Sequence, residues 1–216
     1  MIKCNVTVCG TISRAAVVRT SKDGKSFVAY SVSVIIPARN GINKTIEIGV
    51  VKNGGQNDTA SYVQGKRVKI EGELTFKKRG EALYFNLSET TVDVNTSETE
   101  DSIKGDMYFR GSAGKNIEEK NDKKGKPYLA FSAYSGEKVS DGFEYIWVRF
   151  IRFSEEHEDW LVAKATLEAK GELEVSVYND RLNLGCRLSE LKRWEKQPYQ
   201  PNQSYQQRTN DDNLPF

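Results

Sequence analysis

Asp23-Gly24-Lys25-Ser26-Phe27-Val28-Ala29-Tyr30-Ser31 returns 101 residues later as Lys124-Gly125-Lys126-Pro127-Tyr128-Leu129-Ala130-Phe131-Ser132. In both copies a Lys/Gly turn leads into a strand of period two, the signature of a hairpin. In the first copy Val28, Tyr30, Val32 and Val34 lie on one face, and Phe27, Ala29, Ser31 and Ser33 on the other. The same shift carries Gly10 onto Gly111, and Val6 and Val8 onto Met107 and Phe109. A shift of 99 carries Gly72-Glu73-Leu74 onto Gly171-Glu172-Leu173, and Ile46, Ile48 and Val50 match Ile146, Val148 and Phe150. Glycines, turns and strand register agree together. A period this long marks a duplicated domain rather than a solenoid.

Each copy reads as three strands, a short helix and two more strands. In the first, the helix is expected at Thr59–Gln64, with Asp58 or Thr59 as N-cap and Gly65 as terminator. In the second, Ser154 and the acids after it cap a helix ending in Trp160-Leu161-Val162. This order predicts an all-β chain of two tandem OB-folds, five-stranded Greek-key barrels that each carry a short helix. The expected division is a first barrel over residues 1–95, an acidic linker over 96–102, a second barrel over 103–196 and a tail over 197–216. That tail is rich in Gln, Asn, Pro and Tyr with no apolar periodicity, and is expected to be disordered.

Charge separates the two copies. Residues 1–95 hold 14 Lys/Arg against 8 Asp/Glu, whereas residues 103–196 hold 17 of each sign. A basic first half under a small overall net charge of +2 favours a polyanionic partner. The three cysteines, Cys4, Cys9 and Cys186, show no metal-ligand spacing and read as reduced, partly buried thiols of a cytosolic protein. His157 is the one histidine, so neither a histidine-based nucleophilic triad nor a His/Cys metal site can be assembled. The acids are scattered, which argues against a metal-dependent nuclease. No enzyme activity, cofactor or metal is expected. MIKCNVTV is too polar for a signal peptide and no run reaches membrane-spanning length, so no membrane partner is expected.

The outward face of the third strand carries the chemistry. With Ile146, Val148 and Phe150 inward, Trp147, Arg149, Ile151 and Phe153 point outward. Exposed rings beside an arginine suit base stacking and phosphate contact, at about 1–3 kcal/mol per stacked base. The matching positions of the first copy are Glu47, Gly49, Val51 and Asn53, with no ring. Its cations lie instead on two hairpins: Lys77, Lys78 and Arg79 on one, Arg14 and Arg19 with Lys22 and Lys25 on the other. Phe76 and Tyr84 flank the Lys-Lys-Arg turn, and Phe27 takes the outward slot of Tyr128. The expected nucleic-acid site comprises Trp147, Phe153, Arg149, Tyr128, Phe27, Phe76, Tyr84, Lys77, Lys78, Arg79, Arg14 and Arg19. The first barrel is expected to act mainly by charge and the second mainly by stacking.

The chain resembles bacterial single-stranded DNA-binding proteins with two OB-folds in tandem. The likeness rests on Phe27-Val28-Ala29-Tyr30-Ser31-Val32, on Ala60–Gly65 leading to Ile70–Leu74, and on Tyr145–Phe153. It rests most specifically on the terminal Asp211-Asp212-Asn213-Leu214-Pro215-Phe216. It implies sequence-independent single-stranded DNA binding in replication, recombination and repair, with stacking roles for Trp147 and Phe153. It also implies recruitment of replication and repair proteins through Asp211, Asp212, Leu214, Pro215 and Phe216. A homodimer presenting four barrels and a cytoplasmic, nucleoid-associated location follow from the same likeness. The tip has two acids and a Leu where the family more often has a longer acidic run and Ile. An adaptor whose barrels bind proteins or RNA is the alternative reading.

Overall fold

The computed structural model describes residues 1–38, 41–139, 142–154 and 158–195. The tail over 197–216, expected to be disordered, lies outside the described residues with its tip residues Asp211, Asp212, Leu214, Pro215 and Phe216, as does His157. Among the described residues ten strands run in chain order: β1 (Ile2–Thr20), β2 (Ser26–Ile36), β3 (Lys44–Asn53), β4 (Arg67–Arg79), β5 (Ala82–Asp93), β6 (Ser102–Asn121), β7 (Pro127–Val139), β8 (Gly142–Arg152), β9 (Thr166–Tyr178) and β10 (Arg181–Arg193).

Strands β1 to β5 close on themselves in the order β1-β2-β3-β5-β4, with β4 returning to β1. Only β3 and β5 pair in parallel. Strands β6 to β10 repeat this closure, with β8 and β10 as the parallel pair. A five-stranded Greek-key barrel of this connectivity is an OB-fold. One long strand serves two neighbours in each barrel. Residues Lys3–Thr11 of β1 pair with β4, and Thr11–Thr20 pair with β2, with register shifts between Ile12 and Val17. Such shifts bend a strand and let a sheet close.

The repeated glycines have a steric cause. A Cβ at Gly72 would lie 2.1 Å from the Ser88 carbonyl oxygen, and one at Gly171 would lie 2.1 Å from that of Arg187. Inward side chains fill both barrels, and one continuous apolar core runs from Val8, Ile48 and Leu74 through to Phe109, Phe150 and Leu167.

The helix expected at Thr59–Gln64 does not form. The first connector holds a single 3-10 turn, Gln56–Asp58, followed by turns. Its backbone closes short turns, such as the Tyr62 N–H donating to the Thr59 carbonyl at 3.0 Å, and otherwise bonds to β1. The Ala16 N–H donates to the Tyr62 carbonyl at 3.0 Å, and the Gly65 N–H donates to the Ile12 carbonyl at 2.9 Å. That leaves the Tyr62 ring buried 4.7 Å from the Tyr30 ring. Lys52, Tyr62 and Tyr30 then converge on Glu89, whose carboxylate accepts from the Tyr30 hydroxyl at 2.5 Å and the Tyr62 hydroxyl at 2.9 Å. In the second connector the described residues form turns, and Ala113 of β6 bonds to Ala165 and Lys164. There Arg152 bonds to Glu158, which also accepts from Trp160.

The barrels are joined edge to edge. Strands β1 and β6 pair antiparallel from Ile2–Phe109 to Cys9–Ser102, so one sheet of ten strands runs through both. Two clasps flank this seam. The tip of the β4–β5 hairpin donates the Gly80 N–H to Glu144 of β8 at 3.0 Å. The tip of the β9–β10 hairpin accepts from Lys44 at the Asp180 carbonyl, at 2.6 Å. The segment before β6 is also fixed. Arg67 ion-pairs with Asp101 and bonds to the carbonyls of Glu98 and Glu100, while Asp101 accepts the Ile35 N–H at 2.7 Å.

Candidate nucleic-acid interface

Strand alternation aims the outer face of β7 and β8. Ile146, Val148 and Phe150 are buried, and Tyr145, Trp147 and Arg149 are exposed. Trp147 is 52% exposed, a large apolar surface to leave in water. Its cross-strand partner is Tyr134, with ring centroids 4.9 Å apart. Tyr134 in turn meets Tyr145 edge-on at 5.4 Å. On the other side a Cβ at Gly114 of β6 would come within 3.1 Å of the indole. The glycine leaves room for the indole to lie across β6.

A second aromatic group stands at the far end of the face. Phe153 follows β8 and lies 5.5 Å from the Tyr128 ring. The Arg187 guanidinium sits 5.5 Å from the Phe153 centroid. Strand β10 carries Arg187 to this point through its parallel pairing with β8, which sets Arg187 beside Ile151. Six residues of strand separate Trp147 from Phe153, about 20 Å. Arg149 projects between the two groups, exposed. The arrangement offers two ring platforms with cations between and beside them.

The first barrel presents different chemistry. Its outer β2–β3 face carries Ser31, Ser33, Glu47 and Gly49, with Val51 exposed. Arg14 is exposed and ion-paired with Glu47 at 3.2 Å, and Arg19 is exposed further along β1. Phe27 is half-buried at the start of β2, opposite Arg19 and Asn53. At the β4–β5 hairpin Lys77 and Arg79 are exposed and Lys78 is half-buried. Arg79 stands 5.9 Å over the half-exposed Tyr84 ring. Phe76 is a correction. It points into the barrel, 6% exposed, with its ring 5.2 Å from Phe85. The alternation that buries Leu74 also buries Phe76, so this ring has no face to offer a ligand.

Sequence reasoning left out Tyr134, Phe143, Tyr145 and Arg187. The first three could have been found: Tyr134 lies opposite the outward Trp147, and Phe143 and Tyr145 precede it by four and two residues on the same face of β8. Arg187 could not, because its position depends on the parallel pairing of β10 with β8. Among the described residues no group of three or more His, Cys, Asp or Glu could hold a metal ion, and no helix is long and apolar enough to cross a membrane.

The chain is similar to several solved structures. Its neighbours include single-stranded DNA-binding proteins. The wild-type protein of this kind from Thermus aquaticus is 14% identical, covering 95% of this chain and 98% of its own, with a TM-score of 0.45. The mitochondrial one from S. cerevisiae is 16% identical, covering 43% of this chain and 96% of its own, at a TM-score of 0.35. A small one from Streptomyces coelicolor is 18% identical over 45% of this chain and 95% of its own, also at 0.35. No family model and no curated protein matches the chain.

Proposed function

We propose that this protein binds single-stranded DNA without sequence preference, through the outer face of β7 and β8. The observation that carries the reading is the exposed Trp147–Tyr134–Tyr145 ring cluster beside Arg149. Every base has a π-face, so ring platforms hold a strand whatever its sequence, and duplex stacking keeps those faces unavailable in double-stranded DNA. Phe153 and Tyr128 form the second platform. Arg149, Arg187, Lys77, Lys78, Arg79, Arg14, Arg19 and the flanking Phe27 and Tyr84 supply backbone contacts and edges. The first barrel contributes chiefly charge, since its own outer face carries no ring between Ser31 and Val51.

In this reading the chain protects single strands during replication, recombination and repair in the cytoplasm, at the nucleoid. The terminal Asp211, Asp212, Leu214, Pro215 and Phe216 recruit the enzymes of those processes, an acidic-aromatic segment suited to a basic-rimmed apolar pocket. Two chains pair to present four barrels.

Fluorescence titration with oligo-dT at several salt concentrations tests the DNA-binding core of this proposal. Saturable quenching that weakens with salt supports it, and a flat response removes it. A parallel titration with oligo-U separates DNA from RNA.

A further inference from the structure

Beyond Trp147 the face continues into a cavity of about 380 Å³. It opens where β7 parts from β6, and its walls include Tyr134, Phe143, Tyr145, Trp194 and Arg110, with Gly136 at its edge. We propose that this pocket receives one unstacked nucleobase of the bound strand, as an extension of the Trp147 platform. The inference rests on the single-strand reading above.

Three features favour a base as the occupant. First, the pocket is continuous with the stacking face, because Tyr134 belongs to both and lies 4.9 Å from Trp147. Its volume is at the lower end of the roughly 300–1,000 Å³ of small-molecule sites, enough for one base rather than a folded segment.

Second, one wall is held in place before any ligand arrives. The Trp194 N–H donates to the Thr166 carbonyl at 3.0 Å, and the Thr166 hydroxyl donates back to the Trp194 carbonyl. Arg110 stands 4.8 Å from the Trp194 ring and is itself held by Glu168 and by the Tyr108 hydroxyl. A fixed ring loses little entropy when a base stacks on it. The opposite wall carries Phe143 and Tyr145, 62% and 45% exposed. Gly136 leaves space for these rings, since a Cβ there would come within 3.0 Å of Tyr145.

Third, the first barrel lacks the device. Strand register sets Ser33, Ile35, Asn43, Thr45 and Asn95 at the positions of Tyr134, Gly136, Phe143, Tyr145 and Trp194. None is aromatic, and Asp101 bonds to the Ile35 N–H there. The rings are therefore specific to the barrel whose outer face stacks, and are not a requirement of the fold.

The test uses full-length protein with Trp147→Phe, which keeps a ring on the platform, and compares it with Trp147→Phe/Trp194→Phe. Oligo-dT should quench the first and leave the second nearly unquenched, while anisotropy of labelled oligo-dT shows that both bind. Oligonucleotides bearing 5-iodo-deoxyuridine should photocrosslink to Trp194 or Tyr145. Trp194→Ala should weaken binding about ten-fold. Equal quenching of the two variants, or no crosslink in the pocket, overturns the inference and leaves the Trp147 reading intact. Deleting residues 211–216 should leave Trp194 emission unchanged without DNA. A change there would assign the pocket to the chain's own tail and likewise overturn the inference. Absence of oligo-dT binding by the unmodified protein would remove the parent reading.

Discussion

Asn5 of β1 lies directly opposite Asp106 of β6, and the 101-residue repeat maps one onto the other. The two residues mark a pseudo-two-fold axis through the seam. Around it each barrel sends its last hairpin onto the other, Gly80 to Glu144 and Asp180 to Lys44. The symmetry stops at the chemistry: the first barrel contributes a Lys-Lys-Arg hairpin beside the half-exposed Tyr84, and the second contributes the cluster of exposed rings around Trp147.

A shared ladder and core make the two barrels one cooperative unit. All three tryptophans lie in the second barrel, so their emission reports that barrel, while far-UV circular dichroism reports both. The two urea transitions should superimpose. Gly105→Val should lower both together by about 3 kcal/mol. Gly105 has φ +153°, and a Cβ there would lie 2.0 Å from the Asn5 carbonyl oxygen. Two resolved transitions would mean independent barrels.

Stacking and charge should separate by salt. Trp147→Ala should cost about 1–3 kcal/mol of affinity with an unchanged salt slope. Replacing Lys77, Lys78 and Arg79 with alanine should flatten the slope by up to about 2, since each phosphate contact on a single strand contributes about 0.7. Identical salt signatures would end the division between barrels.

The strands were legible because their faces differ. Alternation at Val28–Val34 and Ile146–Phe150 matches the burial of the folded chain residue by residue. Paired glycines were legible because backbones meet there. The pattern at Thr59–Gln64 predicts a helix that does not form, because its capping residues are also good turn formers and β1 competes for its backbone groups. The β1–β6 seam left no mark, since a paired strand edge and a free one have the same side-chain period. Phe76 lies next to the basic turn in sequence, but the alternation of its own strand turns it inward.

Phe76 and Phe153 should therefore behave oppositely. Phe76→Ala should lower stability by about 3–5 kcal/mol, as loss of a buried ring does. Phe153→Ala should change stability by about 0.5 kcal/mol or less and act on oligo-dT affinity instead. Thermal melts and titrations of the two variants check this.

High pH should loosen the core. Burial pushes the Cys4 and Cys186 thiols from 9.0 up to about 12. Burial also raises the Tyr30 hydroxyl, reinforced by its hydrogen bond to Glu89. Folded, these groups keep protons that the unfolded chain has released. The thiols' contribution is complete below about pH 9 and is lost as pH climbs toward about 12, and that of the tyrosine is complete below about pH 10 and is lost above it. Urea midpoints should fall over that window, and should fall less in Cys4→Ala/Cys186→Ala. Equal losses in both proteins would exclude the thiols as the cause.

In the proposed function the Trp147 face stacks on single-stranded DNA. Its most direct test is oligo-dT titration of full-length Trp160→Phe/Trp194→Phe, which leaves Trp147 as the sole tryptophan. Quenching should be saturable and should be lost on pairing the oligonucleotide with its complement. Binding detected by anisotropy with no change in Trp147 emission would contradict it.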